Sequence, residues 1–516
     1  MDVSIVWFRR DLRLHDNEAV FNATVATKHC LYVFVIDPWF FSQPEIGYLR
    51  VKFLFESLAA LDRALEKLGN QLVILRGESV TMISSLLETL TKGGYHPTLY
   101  MNNDIQVAYG RERDEAVKKY CKENDVELHV SQNYFLLYDE SQMDSWWRQY
   151  YEYQYAPQLT APTITPLDDD LKRHIKPLEQ LNPQTLAEEL SLTLPDTKQV
   201  LFKGGEDAAR LAVYTFLKDR VNGYRWKISR PFLVQQGATS LLGPHLAFGT
   251  ISNRTVFQAA VGHHAKLEKI QPKKAFDIAT YLDRLRWRDS FTQRLWFHPK
   301  LIWKNRFPEF DEVYNEKELT PQKQEYFERW KAGETGFPLL DAAMKQLQAD
   351  GFINFRMRAM AATFLTINCG VSWHHGARHF MNCLVDGDIA INHWQWQMQA
   401  GITNPLSPTF RMYSPTKNFR DRDSTAAYVH FWLPETRGKS VDTILAEAKP
   451  MLDFNETRKT NGKIISDLRK KVRERIVAEK GEELSNATVA HTVVRRYNDR
   501  SADRYKKYMK DLPGDS

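Results

Sequence analysis

The sequence predicts a two-part fold, α/β followed by all-α: an N-terminal doubly wound parallel-sheet domain, then a helical domain. Three observations carry this. Over residues 1–135 short apolar runs alternate with segments of helical spacing, the pattern of a parallel sheet covered on both faces. From 204 to about 435 the apolar spacing turns helical. Between them, 136–205 is rich in Pro, Gln, Thr and Asp, including Pro157, Pro162, Pro166, Pro177, Pro183 and Pro195, and reads as a long wrapping connector.

The elements follow in order. Residues 3–8 form a strand, then a charged turn and a helix over 17–27; 31–36 form a second strand. A long amphipathic helix covers 48–68, with Leu54, Leu58, Leu61 and Leu65 on one face. Strands at 71–75, 98–101 and 127–131 alternate with helices at 82–91 and 110–124. No GxGxxG follows the first strand, so the dinucleotide fingerprint is absent. In the helical part, 207–221, 252–261, 273–296, 339–348, 355–368 and 376–384 show helical apolar spacing. The expected organisation is therefore an α/β domain over 1–135, the connector over 136–205, a helical domain over 206–437, and a basic, helix-prone extension over 438–516.

Composition bounds the function. A length of 516 residues, 43% of them hydrophobic, supports about two to four domains with real cores. The net charge of +6 permits a basic patch for nucleic acid without requiring one. Aromatics reach 12%, which serves core packing or the stacking of flavin or bases. Cys30, Cys121, Cys369 and Cys383 form no CxxC pair and fit no zinc or iron–sulfur spacing. No metal site is expected, and buried thiols in a reducing cytoplasm are the natural reading. There is no apolar run long enough to span a membrane and no secretory signal pattern at the start of the chain.

Four stretches carry candidate chemistry. Trp7-Phe8-Arg9-Arg10-Asp11-Leu12-Arg13-Leu14-His15-Asp16-Asn17 puts charges at the carboxyl end of the first strand, where they either meet a ligand or pin a domain interface. In Ala238-Thr239-Ser240-Leu241-Leu242-Gly243, hydroxyls beside glycine suit a pyrophosphate or a simple helix cap. In Tyr281-Leu282-Asp283-Arg284-Leu285-Arg286-Trp287-Arg288-Asp289, Arg284 and Arg288 share one helix face, as do Asp283 and Trp287. Last come Asp386-Gly387-Asp388, then Asn392, then Trp394-Gln395-Trp396. Carboxylates, an amide and indoles this dense in an apolar segment suggest a site for a large planar cofactor. Buried carboxylates there need partners.

In this order the motifs resemble the DNA photolyase and cryptochrome family, over about residues 3–437. The resemblance implies FAD, contacted by Tyr224, Thr239, Ser240, Leu241, Leu242, Gly243, Tyr281, Arg288, Arg358, Asp386, Gly387, Asp388 and Asn392. Gly243 stands where the family has a second serine. Arg358 is expected to pair with Asp386, and Asn392 to face flavin N5. Trp396 and Trp373 match members of an electron-transfer chain whose surface tryptophan falls at Thr320, leaving Tyr326 or Trp303 as alternative ends. Trp287 is expected to stack on a damaged base, and Arg356 and Arg411 to hold flanking phosphates. Arg284 replaces the usual Glu, Phe355 an Asn, Ala359 a Met, and Met398 the second Trp of an aromatic sandwich. The implied function is light-driven repair of cyclobutane pyrimidine dimers by electron transfer from excited reduced FAD, with a cryptochrome-type photoreceptor as the alternative. The implied partner is DNA containing pyrimidine dimers, bound by a monomer. Tyr109-Gly110 stands where folate-binding members carry Asn-Glu, so an antenna chromophore, if present, has no identity in the sequence.

Overall fold

The structure is a computed structural model that describes residues 1–104, 108–132, 134–160, 162–175, 201–407 and 410–491. Part of the predicted connector, 176–200, and the end of the predicted extension, 492–516, lie outside the described residues. Five strands, β1 (Asp2–Phe8), β2 (Cys30–Ile36), β3 (Leu72–Arg76), β4 (His96–Asn102) and β5 (Glu127–Ser131), form one sheet in the order β3-β2-β1-β4-β5. All neighbours pair parallel, with Ile5 in register with Leu31 on one side and Leu99 on the other. Every residue of β2 is buried, as expected for a strand covered on both faces by crossover helices.

One of those helices, α1 (Tyr48–Glu66), buries Val51, Phe55, Leu58, Leu61 and Leu65 against the sheet, with Leu54 only at the margin. Phe53 leaves this stripe and packs on His245 and Phe248 of the helical domain, ring centres 5.2 and 5.3 Å apart. The helix is thus buried on two sides because it lies between the domains.

The predicted motif after β1 is part of the same interface. Leu12 N donates to Phe248 O at 3.3 Å and Arg13 Nη1 to Gly249 O at 3.0 Å. Asp16 accepts from Ser252 and Arg254. Gly249 has φ +67°, and a Cβ there would stand 2.0 Å from Arg10 O, so only glycine allows this approach.

The helical domain contains α2 (Pro272–Phe297), α3 (Phe355–Thr363) with a wider turn at Phe364–Asn368, α4 (Trp373–Cys383), α5 (Ile389–Gln399) and α6 (Phe454–His491). Its core gathers Leu340, Met357, Phe364, Trp373, Trp396 and Trp432, and Ile465, Leu468 and Val472 of α6 complete it. No described helix is long and apolar enough to cross a membrane.

Candidate functional site

The Asp-Gly-Asp turn lies between α4 and α5 and does two jobs. Asp388 caps α5: its Oδ1 accepts from Ala390 N at 3.0 Å and Ile391 N at 3.2 Å, satisfying donors that a helix start leaves open. Asp386 accepts from Arg358 Nη2 on both oxygens, at 3.0 and 2.9 Å. The guanidinium is held in turn by Nε donating to Ile353 O at 2.8 Å. The structure thus brings together the pair that the sequence proposed.

Gly243 lies against the same carboxylate. A Cβ at Gly243 would stand 2.7 Å from Asp386 Oδ2 and 2.8 Å from its Cβ. A serine at this position would collide with the aspartate, so the glycine is a fit to the site as well as the loss of a hydroxyl. The preceding loop is strained, with Leu241 at φ +56°. Ser240 Oγ accepts from Leu242 N at 3.4 Å, and Thr239 O accepts from Arg220. Tyr281 is buried next to Ser240, yet its hydroxyl makes no hydrogen bond of normal length. Its ring packs edge-on against Tyr224, 5.8 Å between centres. An unsatisfied buried hydroxyl costs free energy unless a ligand supplies the partner.

One turn along α5, Asn392 Nδ2 donates to Ala377 O at 2.9 Å. This bond fixes the amide orientation and leaves Oδ1 without a partner among the described residues. Arg288 donates from Nη1 to Asp289 Oδ1 at 3.0 Å and from Nη2 to Leu246 O at 2.8 Å. Burial pushes the Asp289 carboxyl up to about 6, against the opposing pull of Arg288 and the Asn253 amide. The pair keeps a guanidinium beside the loop. Unsatisfied Tyr281, uncommitted Asn392 and the Gly243 cradle fit a large flavin with phosphates.

One residue here escaped the sequence reading. Arg50 of α1 donates to Met381 O at 3.4 Å, and burial with the nearby Arg10 charge lowers its pKa to about 10 while Asp388 and Asp386 oppose. Arg10 and Arg50 therefore bring α/β-domain charge to the Asp-Gly-Asp turn. Arg10 stood in the first motif; Arg50 carried no local signal.

The indoles are buried as expected, Trp396 on α5 and Trp373 on α4. A Cβ on Gly376 would stand 2.2 Å from the Trp396 ring, so the α4 backbone lies directly on it. Trp396 makes ring contacts with Phe380 at 4.9 Å and Trp330 at 6.1 Å, whereas Trp373 contacts His374 and His393. Trp330 is the aromatic that the sequence reading missed. Thr320 caps the helix Pro321–Ala332, Tyr326 is half-buried and Trp303 is 42% exposed.

Arg284 lies over Trp287 at 4.6 Å and over Phe355 at 5.9 Å. Arg356 lies over Phe355 at 5.3 Å and Tyr413 at 5.0 Å. Burial and the charges of Arg422 and Arg411 lower the Arg356 pKa. Ala359 is buried and Met398 half-buried. None of Arg230, Arg284, Arg356, Arg411 and Arg422 has a carboxylate within ion-pair distance among the described residues. In the α/β domain Tyr109 stacks on Trp39, ring centres 4.0 Å apart, and donates to Asp37 Oδ2 at 2.6 Å.

Comparison with known proteins gives this geometry its place. Residues 4–154 match the family model described as DNA photolyase, and 281–485 the model described as FAD binding domain of DNA photolyase. A cryptochrome DASH of Gloeobacter violaceus is 31% identical over 458 residues, covering 84% of this chain and 86% of the relative. A deoxyribodipyrimidine photo-lyase of a Synechococcus strain is 29% identical over 465 residues, covering 84% and 88%. The crystal structure of an archaeal photolyase from Sulfolobus tokodaii with two FAD molecules superposes with a TM-score of 0.73 at 26% identity, over 91% of this chain and 100% of the other. With its parallel sheet, its FAD-binding helical domain and similarity along most of its length, the chain belongs to the DNA photolyase and cryptochrome family.

Proposed function

We propose that this protein uses light to reverse cyclobutane pyrimidine dimers in DNA. The observation that supports this reading best is that Arg284, which lies over Trp287, and Arg356, Arg411 and Arg422 have no carboxylate within ion-pair distance among the described residues. Like charges packed at a rim repel one another, and a surface that left them unpaired is poised for a polyanion. Arg356 and Arg411 would hold phosphates on either side of a flipped lesion, and Trp287 would stack on it once Arg284 swings to the backbone. Bound in its reduced form, FAD would supply the electron that splits the cyclobutane ring and receive it back. The protein's own share is placement: Asp386 with Arg358 and Asn392 orient the ring system, Arg288 neutralises phosphate charge, and the apolar wall of Ala359 and Met398 keeps water from the dimer.

In the same reading Trp396 and Trp373 pass the electron, and Tyr224, Thr239, Ser240, Leu241, Leu242, Gly387 and Asp388 contact FAD. We further propose that the enzyme works as a monomer in the cytoplasm; unpaired Cys30, Cys121, Cys369 and Cys383 suit a reducing compartment. Light scattering of the purified protein tests the monomer. Illumination of the reduced protein with a dimer-containing oligonucleotide tests repair directly.

A photoreceptor reading is favoured by two features. Arg284 already covers an indole face of Trp287, and Phe355, 44% exposed, stands at the mouth where an amide is usual. If flavin photoreduction proceeds while dimers persist, this reading replaces repair.

A further inference from the structure

The series of arginines continues onto residues outside the flavin and dimer contacts proposed above. Trp226, on the short helix Tyr224–Lys227, is 55% exposed. The Arg230 guanidinium lies 3.6 Å from the centre of its ring and donates from Nη1 to Trp226 O at 3.2 Å. Arg422 is the link back to the pocket. Its Nη1 donates to Ser229 Oγ at 3.4 Å, beside Arg230. After burial, its charge is the next cause lowering the pKa of Arg230, and it acts on Arg356 in the same sense. From Arg356 the series passes over Phe355 to Arg284 and Trp287.

Charge alone would fit any polyanion. The aromatic residues narrow the choice. Guanidiniums that can take backbone phosphates, interleaved with rings that can take bases, are the combination that binds single-stranded nucleic acid. Arg230 backs one face of the Trp226 indole, and the residue as a whole stays more than half exposed. A large indole held in this way at the surface is a stacking platform, and a base inside a duplex already has both faces covered by its neighbours.

We propose that Trp226 and Arg230 form a second nucleic-acid subsite, in which an unpaired base flanking the lesion stacks on Trp226 while Arg230 and Arg422 hold the phosphates leading to the pocket. The lesion part rests on the repair reading; the strip itself requires only a DNA strand. The subsite makes the protein favour single-stranded flanks over duplex ones.

The test uses the full-length, flavin-loaded protein and an undamaged, mixed-sequence oligonucleotide, single-stranded or as a duplex, with dimer repair measured separately. FAD content reports whether each variant is folded. Trp226→Ala should weaken single-strand binding about 5- to 150-fold, the worth of one base stacked on an aromatic ring, without changing the salt slope. Trp226→Phe should recover most of that loss. Arg230→Ala should reduce the slope of log affinity against log salt by about 0.7 for a single strand. The subsite is overturned if both alanine variants bind single strands as tightly as the wild type, or if Trp226→Ala weakens single-strand and duplex binding equally. The two readings fail separately. Binding that depends on Trp226 without repair in the light keeps the subsite and removes the repair reading, whereas repair with binding indifferent to Trp226 removes only the subsite.

Discussion

At the scale of single residues, Gly243 carries the most specific claim. Restoring a serine hydroxyl there should impair the flavin site, because its Cβ would stand 2.7 Å from Asp386 Oδ2. The expected outcome for Gly243→Ser is a lower flavin-to-protein absorbance ratio after purification. Asp386→Ala should act in the same direction by removing both acceptors of Arg358 Nη2. A hydrogen bond to a charged group is worth about 1.5–3 kcal/mol, or roughly 10- to 150-fold in FAD affinity; equilibrium titration of the apoprotein with FAD measures it. Asp289 gives a pH prediction. Its folded pKa, pushed up to about 6 by burial, lies above the value of about 3.9 in an unfolded chain. The protonated form is therefore favoured by folding. That contribution is present below pH ~4 and is lost as pH rises through about 6, amounting to at most about 3 kcal/mol. Asp289→Asn keeps the shape but cannot ionise, so its melting temperature should fall less than that of the wild type between pH 4 and 6.

At the scale of elements, α6 is the least conspicuous and among the most consequential. Buried Arg469 donates to the carbonyls of Gly401, Thr403, Asn404 and Ser407. Ile465 packs on Gly401 and Met412 on Gly462. The helix thus clamps the segment between α5 and Arg411. Arg469→Met should leave those carbonyls unpaired and loosen the segment, seen as faster protease cleavage within 401–407 and weaker DNA binding. Arg469→Lys should lie between. The electron path is also an element-level question, because α4 lies on Trp396 while Trp330 touches it from the helix Pro321–Ala332. Trp396→Phe should slow flavin photoreduction under blue light with a thiol donor; an unchanged rate would exclude it from the path.

Much of this architecture is legible in the sequence. β2 reveals itself because a strand buried on both faces must be apolar throughout. Asp388 is legible in the sequence only as a candidate site residue; its capping of α5 comes from the structure. The helix Pro321–Ala332 escapes, since only Phe327 and Trp330 of it are buried and no apolar stripe marks it. Trp330 is missed with it. Arg50 and Arg469 are silent for another reason: their partners, Met381 and the 401–407 carbonyls, lie far away along the chain, and no local pattern encodes a docking geometry.

For the whole molecule, the proposed flavin site is a joint product of two domains. Arg10 and Arg50 come from the α/β domain, and Gly249 fits closely against Arg10. A Gly249→Ala change should therefore reduce flavin retention, although the residue lies outside the flavin cradle. In the proposed function this assembly turns absorbed light into dimer repair on DNA held by its arginines. The most direct measurement is loss of cyclobutane dimers from a defined oligonucleotide, single- and double-stranded, after blue illumination of the reduced, FAD-loaded protein, compared with darkness and with Arg411→Ala. Expected are dimer reversal only in the light and only with reduced FAD, and weaker DNA binding by the variant, with a salt slope lower by about 1 on duplex DNA. Dimers that persist in both forms of DNA while flavin photoreduction runs normally would contradict it.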